Sequence, residues 1–223
     1  DERVSQAAGF FASLGTVRGA RIALLSHNDS DVFEIQFACR RLGTLFLPLN
    51  WRLAVPELEF ICNDATPHVL IHGEEFAEAA RDVAERCGIP HTVELRNGHP
   101  SEYEAGLASG HPAPAPHSMV LGDVWSIMYT SGTTGRPKGA QITYGMTTFN
   151  AVHASMMVKL TGDSRNLVFL PTFHTGGLNV FANPVFHTGG TNVVMRHFDP
   201  ATFLALLADK TLGLTHVFGV PTN

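Results

Sequence analysis

The chain has 223 residues, 44% hydrophobic and 16% charged, with a formal net charge of −5 at pH 7. This is the profile of a well-packed protein of one large or two small domains, and it excludes a disordered or collagen-like chain. The 15 basic residues are scattered without a basic stripe, which argues against a nucleic-acid partner, and no apolar run approaches the ~18 residues that span a bilayer. Residues 1–15 lack a basic stretch followed by an apolar one, so no signal peptide is expected.

In chain order, the apolar run at residues 21–26 predicts a buried strand. Residues 31–42 predict a helix, with Asp31 as its cap, Glu34 three residues on, Phe33, Phe37, Ala38 and Leu42 on one face, and Gly43 as its stop. A strand over 45–49 follows, then a helix opened by Pro56 and running to residue 63. Residues 68–72 read as a strand, 74–86 as a helix closed by Gly88, and 91–95 as a strand. Strands alternating with helices of this length predict an α/β fold with a mostly parallel sheet covered on both faces. Residues 97–118, rich in proline and glycine and without periodicity, predict a long surface connection. The alternation then resumes: strand 124–130, a glycine-rich loop, helix 144–159, strand 166–170, helix 176–186, strand 191–195, a helix capped by Asp199 with Pro200 in its first turn, and a strand over 215–220. A composition shift near 160–165 suggests a subdomain boundary. Three cysteines, Cys39, Cys62 and Cys87, lie far apart with no C-x-x-C pair. They predict free, mostly buried thiols in a reducing compartment, with the cytoplasm as the expected location.

Residues 129–140 read YTSGTTGRPKGA. Their glycines let the backbone curl so that successive N–H groups point inward, the hydroxyls of Thr130, Ser131, Thr133 and Thr134 add donors, and Lys138 adds a point charge. Placed between a strand and a helix N-terminus, such a loop suits a polyphosphate. A hydroxyl-rich surface turn is the plain alternative, and the density of donors together with the lysine weighs against it. The loop is neither G-x-x-x-x-G-K-[ST] nor G-x-G-x-x-G, so a Walker-type NTPase and a dinucleotide site are both disfavoured.

The string over 129–139 resembles the phosphate-binding signature of the adenylate-forming superfamily, which comprises acyl- and aryl-CoA synthetases, adenylation domains of nonribosomal peptide synthetases and beetle luciferases. Residues 171–179 (PTFHTGGLN) are similar to that family's next core motif, residues 215–222 (THVFGVPT) to a strand lining its acyl pocket, and residues 21–53 to its opening Rossmann-like units. The resemblance implies two Rossmann-like subdomains with mostly parallel sheets flanked by helices: 1–160 with the phosphate loop, and 161–223 as an incomplete second subdomain. The family's small C-terminal domain is expected beyond residue 223.

The implied activity is ATP-dependent conversion of a carboxylic acid to an acyl-adenylate, followed by thioesterification to coenzyme A, with Mg2+ assisting. Thr130, Ser131, Gly132, Thr133, Thr134, Gly135 and Lys138 would hold the β- and γ-phosphates. His174 is implied as the catalytic-site residue that gates and orients the acyl group, and its P-x-F-H-x-x-G context favours acyl- or aryl-CoA synthetases. Gly177 and Phe218 would line the acyl pocket, plain core packing being an equal reading for Phe218. No metal ligand is assigned; the family's magnesium glutamate, adenine motif, ribose aspartate, hinge and C-terminal lysine are expected beyond residue 223, so these residues alone are expected not to complete adenylation. Thr161-Gly162-Asp163 spells the family's ribose triplet in the wrong place and is read as a turn with Asp163 solvated. A non-catalytic nucleotide-binding module is the alternative. The acid (fatty, aryl or other), the thiol acceptor and the oligomeric state, a homodimer included, stay open.

Overall fold

Strands buried on both faces need helices above and below them, and the chain up to Thr143 is built that way. The protein is described here by a computed structural model covering residues 1–96, 98–130 and 136–220. It packs as two units, one formed by Asp1–Ser26 with Ser30–Thr143, the other by His27–Asp29 with the chain from Tyr144 onward. The division falls after Thr143, ahead of the 160–165 boundary suggested by composition, because helix Tyr144–Val158 packs on helix Ala182–His187.

In the first unit α1 (Glu2–Ser13) precedes β1 (Arg21–Leu25), α2 (Ser30–Leu42), β2 (Leu45–Pro48), α3 (Val55–Ala65), β3 (Val69–Gly73), a 3-10 turn at Glu74–Phe76, α4 (Ala77–Cys87), β4 (His91–Leu95), α5 (Glu102–Ala108), β5 (Val124–Thr130) and β6 (Lys138–Thr143). The sheet runs β4-β3-β1-β2-β5-β6 and is parallel throughout except for the antiparallel β5–β6 pair. Ile22 of β1 lies beside Phe46 on one side and Val69 on the other, and all three side chains are fully buried. One core layer joins Leu25, Leu47 and Leu70 from the strands to Leu58, Ile61, Ala80 and Val83 from α3 and α4.

Two local expectations change. Helix α2 begins at Ser30, so Asp31 sits inside the first turn, buried and 3.5 Å from Arg3, instead of capping it. The stretch read as a surface connection over 97–118 contains α5. Its N-cap is Ser101, whose hydroxyl accepts from the Glu104 N–H at 3.2 Å. Tyr103 is fully buried, and Gly106 lies so close to the Phe10 ring that a Cβ there would sit 2.5 Å from it. A seven-residue helix has too few turns to show a period; it forms because tertiary packing and a salt bridge from Arg3 to Glu104 hold it.

The second unit holds α6 (Tyr144–Val158), β7 (Arg165–Val168), α7 (Thr175–Leu178), α8 (Ala182–His187), β8 (Thr191–Val194), α9 (Pro200–Ala208) and β9 (His216–Val217), with a parallel sheet ordered β8-β7-β9. The single helix expected over 176–186 is two. Pro184 has no N–H and its ring would strike the carbonyl four residues back, so the helix restarts at Ala182 with the proline in its first turn. Asp199 caps α9 as expected, accepting from the Thr202 N–H at 2.7 Å. Both units are α/β with mainly parallel sheets. Among the described residues no helix is long and apolar enough to cross a membrane.

Candidate functional site

The glycine-rich loop joins two antiparallel strands, not a strand and a helix. Lys138 opens β6 directly opposite Thr130 at the end of β5, so the helix N-terminus expected behind the loop is replaced by a hairpin. Strand β6 has only Ala140 and Ile142 as apolar side chains and lies at the sheet edge, which is why its period gave no signal. Thr130 and Lys138 are both exposed at the hairpin mouth. The assignments to Ser131, Gly132, Thr133, Thr134 and Gly135 lie outside the described residues.

Below the mouth the hairpin is tightly seated. Gly139 faces Tyr129, and a Cβ there would come within 2.9 Å of Ile127 Cγ2 and 3.1 Å of the Tyr129 ring. The Tyr129 hydroxyl donates to Asp64 Oδ2 near the end of α3. Burial, and then the Asp64 carboxylate, push the tyrosine hydroxyl well above its ordinary range, so it stays a neutral donor. This anchor was not read from sequence.

In the second unit His174 is the N-cap of α7. Its ring Nδ1 accepts from the Gly176 N–H at 3.0 Å, while its backbone N–H donates to Pro171 O at 3.1 Å. An occupied Nδ1 acceptor leaves the proton of the neutral ring on Nε2, which makes that exposed edge a hydrogen-bond donor. Gly177 is required by close approach: a Cβ there would stand 2.3 Å from Pro171 O and 2.5 Å from Leu170 O. Gly177 and Phe218 line one small cavity of ≈ 10 Å³, about the space of one water, together with Asn166 and Phe181. The Phe181 and Phe218 rings meet edge-on at 5.7 Å. Asn166 is buried, with its Nδ2 donating to Asn192 Oδ1 at 2.9 Å.

The turn that carries His174 is held by a residue the sequence reading passed over. Asn28 bonds through both ends of its amide to Leu170, Thr172 and Met195. The available signal was its position: it follows the carboxyl end of a parallel strand, where ligand sites of α/β sheets gather.

The remaining candidates are quiet. Thr161–Asp163 forms the expected turn, with the Asp163 N–H on Thr161 Oγ1 at 3.3 Å and Asp163 exposed. Cys39 and Cys62 are buried free thiols, each pushed by burial up to about 12, and Cys87 is partly exposed. Among the described residues no three His, Cys, Asp or Glu side chains are grouped to hold a metal.

Residues 1–223 match the family model described as AMP-binding enzyme. The chain is 37% identical over 220 residues to a feruloyl-CoA synthase of an Amycolatopsis species, covering 99% of this chain and 42% of that protein. It is 38% identical over 212 residues to an indoleacetate–CoA ligase of Aromatoleum aromaticum, covering 93% and 41%. Among solved structures, ATP-bound MatB from Rhodopseudomonas palustris superposes with a TM-score of 0.89 at 27% identity, over 99% of this chain and 43% of that one. The o-succinylbenzoate CoA synthetase MenE of Bacillus subtilis, in complex with its acyl-adenylate intermediate, gives 0.83 at 26% identity, over 99% and 54%. The chain thus spans about two fifths of the length of the curated relatives it matches.

Proposed function

The chain belongs to the AMP-binding enzyme family, and from that premise we propose that its protein activates an aromatic carboxylic acid as the acyl-adenylate and transfers the acyl group to the thiol of coenzyme A. The observation that carries the reading is the Thr130/Lys138 hairpin mouth, with S-G-T-T-G-R-P strung between its strands. A carboxylate oxygen attacks the α-phosphorus of ATP, the bond to the bridging oxygen breaks, and pyrophosphate leaves. The thiol then attacks the acyl carbon and AMP departs.

Both steps set anions against anions, so preorganised donors matter most. Thr130, Ser131, Gly132, Thr133, Thr134, Gly135 and Lys138 are assigned to the β- and γ-phosphates, which they hold while charge builds on pyrophosphate. His174 offers its Nε2–H to an acyl oxygen and fixes the direction from which the carboxylate approaches. Gly177, Phe181 and Phe218 form one wall of the acyl pocket. The edge-on phenylalanine pair and the acids named in the relatives, ferulate and indoleacetate, support an aromatic substrate. Magnesium, when bound, supplies charge neutralisation at the phosphates. Its protein ligands are not assigned among the described residues, and no step of this scheme runs through it.

The test is carboxylate-dependent ATP–pyrophosphate exchange by the full natural protein against short, long-chain and aromatic acids. Exchange with aromatic acids is the expected result. A folded protein that binds ATP and exchanges with no acid would instead be a non-catalytic nucleotide-binding module.

A further inference from the structure

We propose that Asn28 is the positioning residue for His174, an inference that rests on the acid-activating reading above. Asn28 lies between β1 and α2 in sequence, and its side chain is buried within the second unit. Its Nδ2 donates to Leu170 O at 3.0 Å and to Met195 O at 3.2 Å. Its Oδ1 accepts from the Thr172 N–H at 2.9 Å and from the Thr172 hydroxyl at 3.1 Å. The backbone N–H of Asn28 adds a bond to Arg196 O at 3.2 Å. The amide therefore uses two donors and two acceptor sites at once, which only Asn or Gln can supply.

These bonds converge on the backbone just past β7 and β8, and the β7 side leads straight to His174. Leu170 O, held by Asn28, and Pro171 O form the surface on which Gly177 lies. Pro171 O also receives the His174 N–H, and the next turn places the Gly176 N–H on His174 Nδ1. The direction of the imidazole and its tautomer are thus set by a turn to whose leading segment Asn28 is bonded at Leu170 and at Thr172. Aspartate at 28 keeps the acceptors but turns two buried carbonyls toward a carboxylate oxygen, so the Leu170–Thr172 segment has to move. A displacement of about 1 Å at a positioned group costs roughly a hundredfold in rate.

The experiment uses the full natural protein with Asn28→Asp, and with Asn28→Ser as an uncharged second variant should the first fail to fold. Each is made with His174 intact and with His174→Ala. Pyrophosphate exchange gives kcat and the KM for ATP, and long-range 1H–15N imidazole spectra report the His174 tautomer. With His174 present, kcat is expected to fall by about a hundredfold with KM for ATP within about twofold. On the His174→Ala background the same change is expected to cost almost nothing. In the Asn28 variants that keep His174, its signal is expected to lose its uniform Nε2–H tautomer. Equal losses on both backgrounds, or an unchanged tautomer in the folded variants, overturn the proposal. If the parent protein exchanges with no acid, the proposed reaction falls, and the tautomer measurement alone decides the role of Asn28.

Discussion

Two residues assigned to the same pocket wall, Gly177 and Phe218, differ in how they answer a small change, and at Gly177 one added methyl group decides the outcome. That methyl would collide with two carbonyl oxygens that cannot withdraw without moving the His174 turn. Gly177→Ala is therefore expected to cost about 1–3 kcal/mol in urea unfolding and to abolish most exchange activity. Phe218, half-buried beside Phe181, has room to accept leucine with little loss of stability. Lys138 is the opposite kind of residue, exposed and assigned to phosphate. Lys138→Met is expected to raise the KM for ATP about tenfold, the worth of one charge-assisted hydrogen bond, without shifting the melting temperature. Charge matters to folding at Arg3, which reaches Glu34 at 2.6 Å and Glu104 at 2.6 Å. The Arg3 hydrogen bond holds the Glu104 carboxyl below its ordinary 4.5. A depressed carboxylate stabilises fully above that ordinary value and loses its contribution as pH falls through the lowered one. The stability gap between wild type and Glu104→Gln should thus be widest near neutrality and shrink as pH drops below about 4.5, staying small throughout because the pair is partly solvated.

Among the elements, the β5–β6 hairpin departs furthest from what its sequence suggests. A loop ending at Lys138 could have fed a helix directly, which would have set a helix dipole behind the phosphates. With a hairpin in that place, the proposed phosphate site has Thr130 and Lys138 at its mouth and no helix directly behind it, so the footing of the two strands matters more. That footing is the Tyr129–Asp64 bond to α3. Tyr129→Phe is expected to lower stability by about 1 kcal/mol in urea titration. Helix α5 makes the same point from the other side: Ser101 caps it locally, but its buried Tyr103 and the salt bridge to Arg3 come from contacts with distant chain.

For the whole molecule, the two units differ in how much apolar surface they bury. Among the described residues, β3 and all of β1 but Arg21 are buried, and one core cluster of the first unit gathers more than a dozen buried side chains, whereas the cluster around β7 has Leu167, Phe169 and Met195 as its buried members. Helix α9 has no buried residue at all, with Leu204 and Leu207 exposed. Local opening should follow that difference. In hydrogen exchange of the 223-residue chain, amides of β1 and β3 are expected to be protected far longer than those of β7, β8 and β9. Equal protection across both sheets would contradict this account.

The sequence by itself determined the α/β alternation, most of its strands and helices and the family to which the chain belongs, and it singled out the glycine- and hydroxyl-rich string over 129–139. Each of these is written in contiguous residues: an apolar run, a cap three residues from its partner, a string of glycines and hydroxyls. The break ahead of Pro184 had its signal in the sequence too, in proline's missing N–H, although residues 176–186 were expected as one helix. Tertiary structure alone decided the rest. Strand β6 exists because β5 offers it a ladder, and α5 because Phe10 and Arg3 are waiting for it. Asn28 acquires its place only when the chain brings it to backbone 142 and 167 residues away. No local period or motif encodes such a pairing, because the free energy that selects it arises only when buried carbonyls and amides from separate strands must satisfy one another away from water.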